Sequence, residues 1–246
     1  MNTMALRPAT RGETGSLAFA ITFPTLLTWV YFVLLAESST ALQRGAYSVG
    51  KAIQFGFPIA WALLAERWRP SRPKWTRAGL SVGLFAGLLI AASAMGLYHG
   101  WWKPAGLFEA SGEVARQKVA GMGIGSASQF AALGLFYSIG HSLLEEYYWR
   151  WFVFGRLRRV VRMPTAVAIS SVGFMAHHVI VLGFYFGYDN WMTYFLSLSV
   201  AIGGVIWSLL YQRSGSLLGP WLSHCLVDAA IFLIGYDLLQ PLWSNG

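Results

Sequence analysis

The chain reads as an all-α protein, a polytopic bundle of about seven membrane-spanning helices. Three observations predict it. Its 246 residues are 56% hydrophobic and only 11% charged, against roughly 25% charge in a soluble domain. Several stretches reach the ~20 apolar residues that cross a bilayer. The Lys and Arg residues gather in alternate connections between those stretches. The single cysteine, Cys225, excludes an internal disulfide and a cysteine-ligated metal cluster. A net charge of +8 would suggest nucleic acid on a soluble protein. Here the loops account for it, and no nucleic-acid partner is expected.

The elements follow in order. Arg7 and Arg11 precede an apolar run over 16–36. That run exceeds a signal-peptide core of roughly 7–15 residues, so it reads as a retained first span. The second span, 50–66, is short, and Gly56 and Pro58 interrupt it. The third covers 78–98. The connector 99–126 is Gly-rich and carries Glu109, Glu113, Arg116 and Lys118, which suits a short amphipathic helix on the membrane surface. The fourth span, 127–149, continues as helix to about Leu157. Spans at 164–186, 191–211 and 216–238 complete the set. Residues 1–246 thus form one membrane domain, with three spans and a long external loop in 1–126 and the chemistry-bearing part in 127–238.

Orientation follows from the positive-inside bias. Twelve Lys and Arg residues lie on one side: Arg7 and Arg11, Arg67 to Arg77, Arg156 to Arg162, and Arg213. Five lie on the other: Arg44, Lys51, Lys103, Arg116 and Lys118. The bias places the N-terminus in the cytoplasm and the C-terminus outside a cell membrane. The run Arg67 to Arg77 reads as a cytoplasmic loop anchoring two spans, and it also suits anionic lipid headgroups.

Ionisable groups inside a span are costly unless paired or hydrated, and so carry a functional reading by default. They recur on three spans here: Glu145 and Glu146 with Arg150, His177 and His178, and His224 with Asp228. On a helix Glu145 and Glu146 point about 100° apart, so they need not share a task. Glu146 and Arg150 stand at i,i+4 and suit an ion pair. Glu145 shares its face with His141 and Trp149, and lacks a basic partner on its own helix apart from His141. A carboxylate stripped of water there is a candidate general base. The same pair also reads as a charge cluster near the cytoplasmic surface. His178 lies about 22 Å into its span, whereas His177 faces elsewhere and reads as a packing residue. His224 and Asp228 share one face, as a catalytic pair or as an internal staple.

Four unrelated burials of costly groups, all after residue 126, are less economical than one site. In that site water held by Glu145 and His178 attacks a carbonyl, and His224 with Asp228 steadies the oxyanion. A second chemistry stays open: Glu145, His178 and His224 match the His₂Glu ligand set of catalytic zinc. Spacing alone does not separate the two. Neither HExxH nor GxGD occurs in the chain, and no serine stands in a rhomboid-type nucleophile setting.

These residues resemble the CAAX prenyl endopeptidase and bacteriocin-processing (CPBP, or Abi) family of intramembrane proteases. The motifs EExxxR, FxxxH and HxxxN/D read here as Glu145-Glu146-xxx-Arg150, Phe174-xxx-His178 and His224-xxx-Asp228, over about 127–235. The resemblance implies a helical bundle that hydrolyses peptide bonds within the membrane. It implies Glu145 and His178 as water-activating residues, His224 and Asp228 as oxyanion support, and Glu146 and Arg150 as structural or substrate-facing. The expectation is glutamate-type catalysis without a cofactor, with zinc as the alternative. Many members carry Asn at the last position, which donates a hydrogen bond. An ionised Asp228 only accepts, so it is either protonated or orients His224. The expected partners are membrane lipids and a protein or peptide substrate in the membrane. Its processing would be CAAX-type, or a trimming of C-terminal anchors from exported proteins. The competing class is a non-catalytic scaffold, immunity protein or proton-coupled transporter. Transporters usually pair broken helices in related halves, and only one span here looks broken.

Overall fold

The computed structural model describes residues 6–67 and 77–243, with side chains from 79 onward in the second stretch. Arg69, Arg72, Lys74 and the Arg77 side chain, most of the run expected to meet anionic headgroups, lie outside them. The described residues form eight helices and no strand. Helix α1, Arg11–Trp29, continues through a π-helical turn to Leu34. It begins ahead of the apolar run because Thr10 caps it. The Glu13 amide donates to Thr10 Oγ1, and the Thr10 amide donates back to the Glu13 carboxylate.

Helix α2, Thr40–Leu64, is longer than the 50–66 expected and is not broken. Pro58 removes one amide donor, and the surrounding helix closes over it. Arg44 and Lys51, counted above with a loop, lie within α2. Helix α3, Arg77–Leu97, continues in a π turn to Trp102. The connector then holds α4, Glu109–Gly121, a short helix where one was expected. Arg116 of α4 donates to the Leu238 carbonyl at 2.9 Å, which docks it on the end of the last helix.

Residues 127–160 form one uninterrupted helix, α5, capped by Ser126, whose hydroxyl accepts from the Gln129 amide. Three more follow: α6 (Met163–Phe186), α7 (Trp191–Ser214) and α8 (Leu218–Leu239). Gly187 at φ +91° ends α6 and Gly215 at φ +63° ends α7, a backbone region that glycine enters freely. Five helical stretches among the described residues are long and apolar enough to cross a membrane: Arg11–Leu34, Gly79–Trp102, Met163–Phe186, Trp191–Ser214 and Leu218–Leu242. The other two expected spans, α2 and α5, are helices too. Their polar residues, Arg44, Lys51 and Gln54 in one and Glu145, Glu146 and Arg150 in the other, dilute their apolarity.

In a bilayer, helices associate through close packing more than through water exclusion. Helices α3 and α8 meet along a small-residue seam. A Cβ on Gly83 would lie 2.3 Å from the Gly219 carbonyl oxygen, and one on Gly219 would lie 2.5 Å from that of Gly79. One on Gly87 would lie 2.8 Å from the Ser223 Cα. Only hydrogen fits at these crossings, and the seam fixes the depth of His224, the residue after Ser223. The main core gathers Tyr148, Trp149, Phe152 and Phe154 of α5 with Leu17 and Ala20 of α1, Phe174 of α6 and Trp207 of α7. Tyr148 donates to the Ala20 carbonyl at 2.8 Å. Arg156, past the core, pairs with Glu66 just beyond α2 at 2.8 Å. At the other end, Tyr98 and Lys103 reach Asp237 of α8 at 2.7 and 2.6 Å.

Candidate active site

The centre of α5 departs from regular α-helix. Widened π turns at Phe136–His141 and Tyr147–Phe154 flank the short α-helical segment Ser142–Glu146. Such turns rotate side chains out of register and frequently mark functional sites. Glu145, Glu146 and Arg150 are all buried, at 4%, 0% and 1% exposure, which removes the reading of a solvated surface cluster.

Each carboxylate has its own set of neighbours. Glu145 stands amid three imidazoles from three helices. Its Oε2 lies 3.6 Å from His224 Nε2 and 3.8 Å from His141 Nδ1, and its Oε1 lies 3.7 Å from His177 Nε2. Glu146 faces the other way. Its Oε1 lies 3.1 Å from Arg150 Nη1, off the N–H axis, and 2.8 Å from His224 Nδ1. The guanidinium of Arg150 is also sandwiched by aromatic faces, 4.6 Å from the Phe174 ring centre and 5.0 Å from that of Trp207.

His224 is fixed on every side. Trp207 stacks on it at 4.0 Å and 15°, and Trp207 Nε1 in turn donates to the Ser223 hydroxyl at 3.0 Å. The Glu146 carboxylate takes the Nδ1–H. Asp228 Oδ1 lies 3.5 Å from Nε2, the same nitrogen that faces Glu145. Glu146, and not Asp228, therefore orients the ring, which gives Glu146 a task that its spacing to Arg150 does not reveal.

On α6, His178 Nδ1 lies 2.9 Å from the Phe174 carbonyl, four residues back. That contact makes Nδ1 the donor and leaves Nε2 bare. His177 does not face elsewhere, as its sequence position suggests. Its ring is 4.2 Å from that of His178, lies parallel to the Trp149 indole, and approaches Glu145 from a second side. Two neighbours 100° apart on a helix converge here because the carboxylate lies between their directions. Gly173 makes room for this, since a Cβ there would lie 2.9 Å from the Trp149 ring. His177 and Trp207 are the neighbours that sequence reasoning missed. The paired histidines were the one available signal for the first.

Glu145, His177 and His178 each offer a ligand atom, all within 4.8 Å of one another. They suit a divalent cation in donor type, two imidazoles and a carboxylate, and the Phe174 carbonyl supplies the outer partner that a ligating His178 would need. The set differs from the Glu145, His178 and His224 expected: His177 stands in it where His224 was named.

With this geometry in place, the comparison with known families is decisive. Residues 127–230 match the family model of type II CAAX prenyl endopeptidase Rce1-like proteins. This part of the chain is similar to the Rce1-like family. Among curated proteins and solved structures nothing matches. The Rce1-like segment runs from the start of α5 into α8 and contains all three motifs, in agreement with the resemblance drawn from them. It marks the chain as a peptidase, and with its apolar helices as a multi-pass membrane protein.

Proposed function

We propose that the protein is an intramembrane endopeptidase in which Glu145 is the general base and no metal is required. The observation that carries this reading is the placement of both Glu145 oxygens against imidazole nitrogens of α5, α6 and α8. Water held between Glu145 and the bare Nε2 of His178 gives a proton to Glu145 as its oxygen bonds to the carbonyl carbon. Negative charge develops on the carbonyl oxygen, and His224 Nε2–H donates to it, held by Glu146 through Nδ1 and by Asp228 beside it. Collapse breaks the C–N bond, and the leaving amine takes the proton from Glu145. A new carboxylate and a new amine result.

Were zinc bound by Glu145, His177 and His178, it would supply Lewis-acid polarisation and a hydroxide at neutral pH. The test is elemental analysis of purified protein that cleaves a quenched reporter peptide, with a chelator arm. Activity is expected to survive chelation, in protein without stoichiometric metal. Stoichiometric zinc, with activity lost on its removal and restored on its return, overturns the metal-free reading.

The substrate we propose is a protein whose C-terminal part enters the membrane, through CAAX-type processing or trimming of a C-terminal anchor. The membrane we propose is the cell membrane, with the N-terminus cytoplasmic and the C-terminus external, from the charge bias of the loops. A C-terminal fusion is expected to light up a periplasm-type reporter. A fusion active only in the cytoplasm would refute the orientation.

A further inference from the structure

A cavity of about 670 Å³ opens at the end of the bundle that carries Arg156 and Glu66. It lies between the start of α1, the end of α2 and the last turn of α5, and Arg7, Gly12, Glu13, Trp61, Glu66 and Arg159 line it. The Arg7 amide donates to the Arg159 carbonyl at 3.1 Å, which ties the segment ahead of α1 to α5. A Cβ on Gly12 would lie 3.3 Å from the Trp61 ring, so α1 and α2 close on each other beside the cavity. Arg11 opens a stretch long and apolar enough to span. The cavity therefore sits at the level of lipid headgroups, and its volume is that of a small-molecule site, roughly 300–1,000 Å³.

Its charges are not all matched. Glu13 takes the Arg7 guanidinium, the Thr10 amide and the Thr10 hydroxyl, which fills the roughly four acceptor positions of a carboxylate. Glu66 takes only Nε and Nη2 of Arg156, both at 2.8 Å, and keeps about half of its acceptor positions open. The Arg159 guanidinium has no partner among the described residues, and the charge of Arg156 repels it. One unpaired cation and one half-used carboxylate thus line the same cavity. A simple anion satisfies the first and is repelled by the second, and a simple cation does the reverse. A ligand with both charges a few bonds apart satisfies both, through charge-assisted hydrogen bonds.

We propose that this cavity is a lipid site that holds a phosphoethanolamine headgroup, its phosphate on Arg159 and its ammonium on Glu66. The guanidinium fork matches phosphate oxygens. The first-turn amides of α1, Gly12 among them, have no acceptor within the helix and favour the same anion. A choline headgroup offers Glu66 no N–H, and a glycerol headgroup offers it no cation. Trp61 supplies an amphipathic wall of the kind that suits the bilayer interface. Arg159 stands about 21 Å along α5 from Glu145, at 1.5 Å per residue, so the site is separate from the candidate active site and does not rest on the hydrolase reading.

The test titrates the full chain in detergent micelles with phosphatidylethanolamine, phosphatidylglycerol or phosphatidylcholine of the same acyl chains, and native mass spectrometry counts the bound lipid. Wild type is expected to bind phosphatidylethanolamine about tenfold more tightly than either of the others, the scale of one hydrogen bond to a charged group. Arg159→Gln should weaken that binding by a similar factor, whereas Arg162→Gln, an exposed cation nearby that does not line the cavity, should leave it unchanged. Glu66→Gln should erase the preference over phosphatidylglycerol. Arg156 also needs Glu66, so if that variant does not fold, the two arginine variants decide. Equal binding of the three lipids, tighter binding of phosphatidylglycerol, or equal losses in Arg159→Gln and Arg162→Gln overturns the proposal. So does displacement of the lipid by an equal concentration of free phosphoethanolamine, which would make the soluble compound the ligand.

Discussion

Glu145→Gln abolishes peptide hydrolysis while the protein stays folded. The amide has nearly the shape of the carboxylate and keeps an oxygen for His224 Nε2–H, but it accepts no proton from water. Positioned general-base catalysis contributes about 10²–10⁴-fold, so kcat should fall by that factor with little change in KM. His178→Ala should lose activity to a similar degree, since it removes the bare Nε2 that holds the water. The measurement is steady-state hydrolysis of the reporter peptide by protein purified to the same monodisperse elution as wild type. Wild-type kcat in Glu145→Gln would end the assignment. His177→Gln discriminates further. Its ring packs parallel to Trp149 and nears Glu145 on the side away from His224. If Glu145 works as a base, this variant retains more activity than His178→Ala. If the trio of Glu145, His177 and His178 works by holding zinc, the two fall together.

Sequence and structure agree where the argument is local and part where it turns on register. Apolar runs bounded by Arg clusters, Gly187 and Gly215 mark α6 and α7 to within a few residues, because length and hydropathy alone decide a span. The motif residues were legible for a related reason: charges in a span are too costly to be incidental. What was not legible is which atom faces which. The 100° step and i,i+4 spacing do separate Glu145, beside His141, from Glu146, beside Arg150, but they do not show that Glu146 also meets His224 Nδ1 or that His177 approaches Glu145. Nor does i,i+4 spacing show that Asp228 meets His224 at Nε2 and not at the orienting nitrogen. The α3–α8 seam was overlooked because Gly79, Gly83 and Gly87 carry no chemistry, yet their missing side chains set the depth of His224. Pro58 misled in the other direction, since one lost donor is not enough to end a helix that packing holds.

Arg150→Met is expected to destabilise the fold more than any other single change at the site. The guanidinium is 1% exposed, 3.1 Å from Glu146, and sandwiched between Phe174 and Trp207. Removing one member of a buried pair leaves the other charge uncompensated, at a cost of about 3–5 kcal/mol. Methionine keeps the bulk between the two rings, so the loss reports on charge and not on a cavity. By i,i+4 spacing alone Glu146→Ala costs one ion pair, but the structure gives it a larger effect. It strands Arg150 and also frees His224 Nδ1, so it should lower both stability and kcat. Glu146→Gln separates the two effects. Its side-chain oxygen still accepts from Nδ1 at the 2.8 Å contact, so more activity returns than stability. SDS-driven unfolding in mixed micelles measures the stabilities, and the double variant Glu146→Gln/Arg150→Met closes the cycle. Its loss should be smaller than the sum of the single losses, because the second change removes the charge that the first left unpaired. Additive losses, or an Arg150→Met protein as stable as wild type, would show that the pair does not hold α5 against α6 and α7.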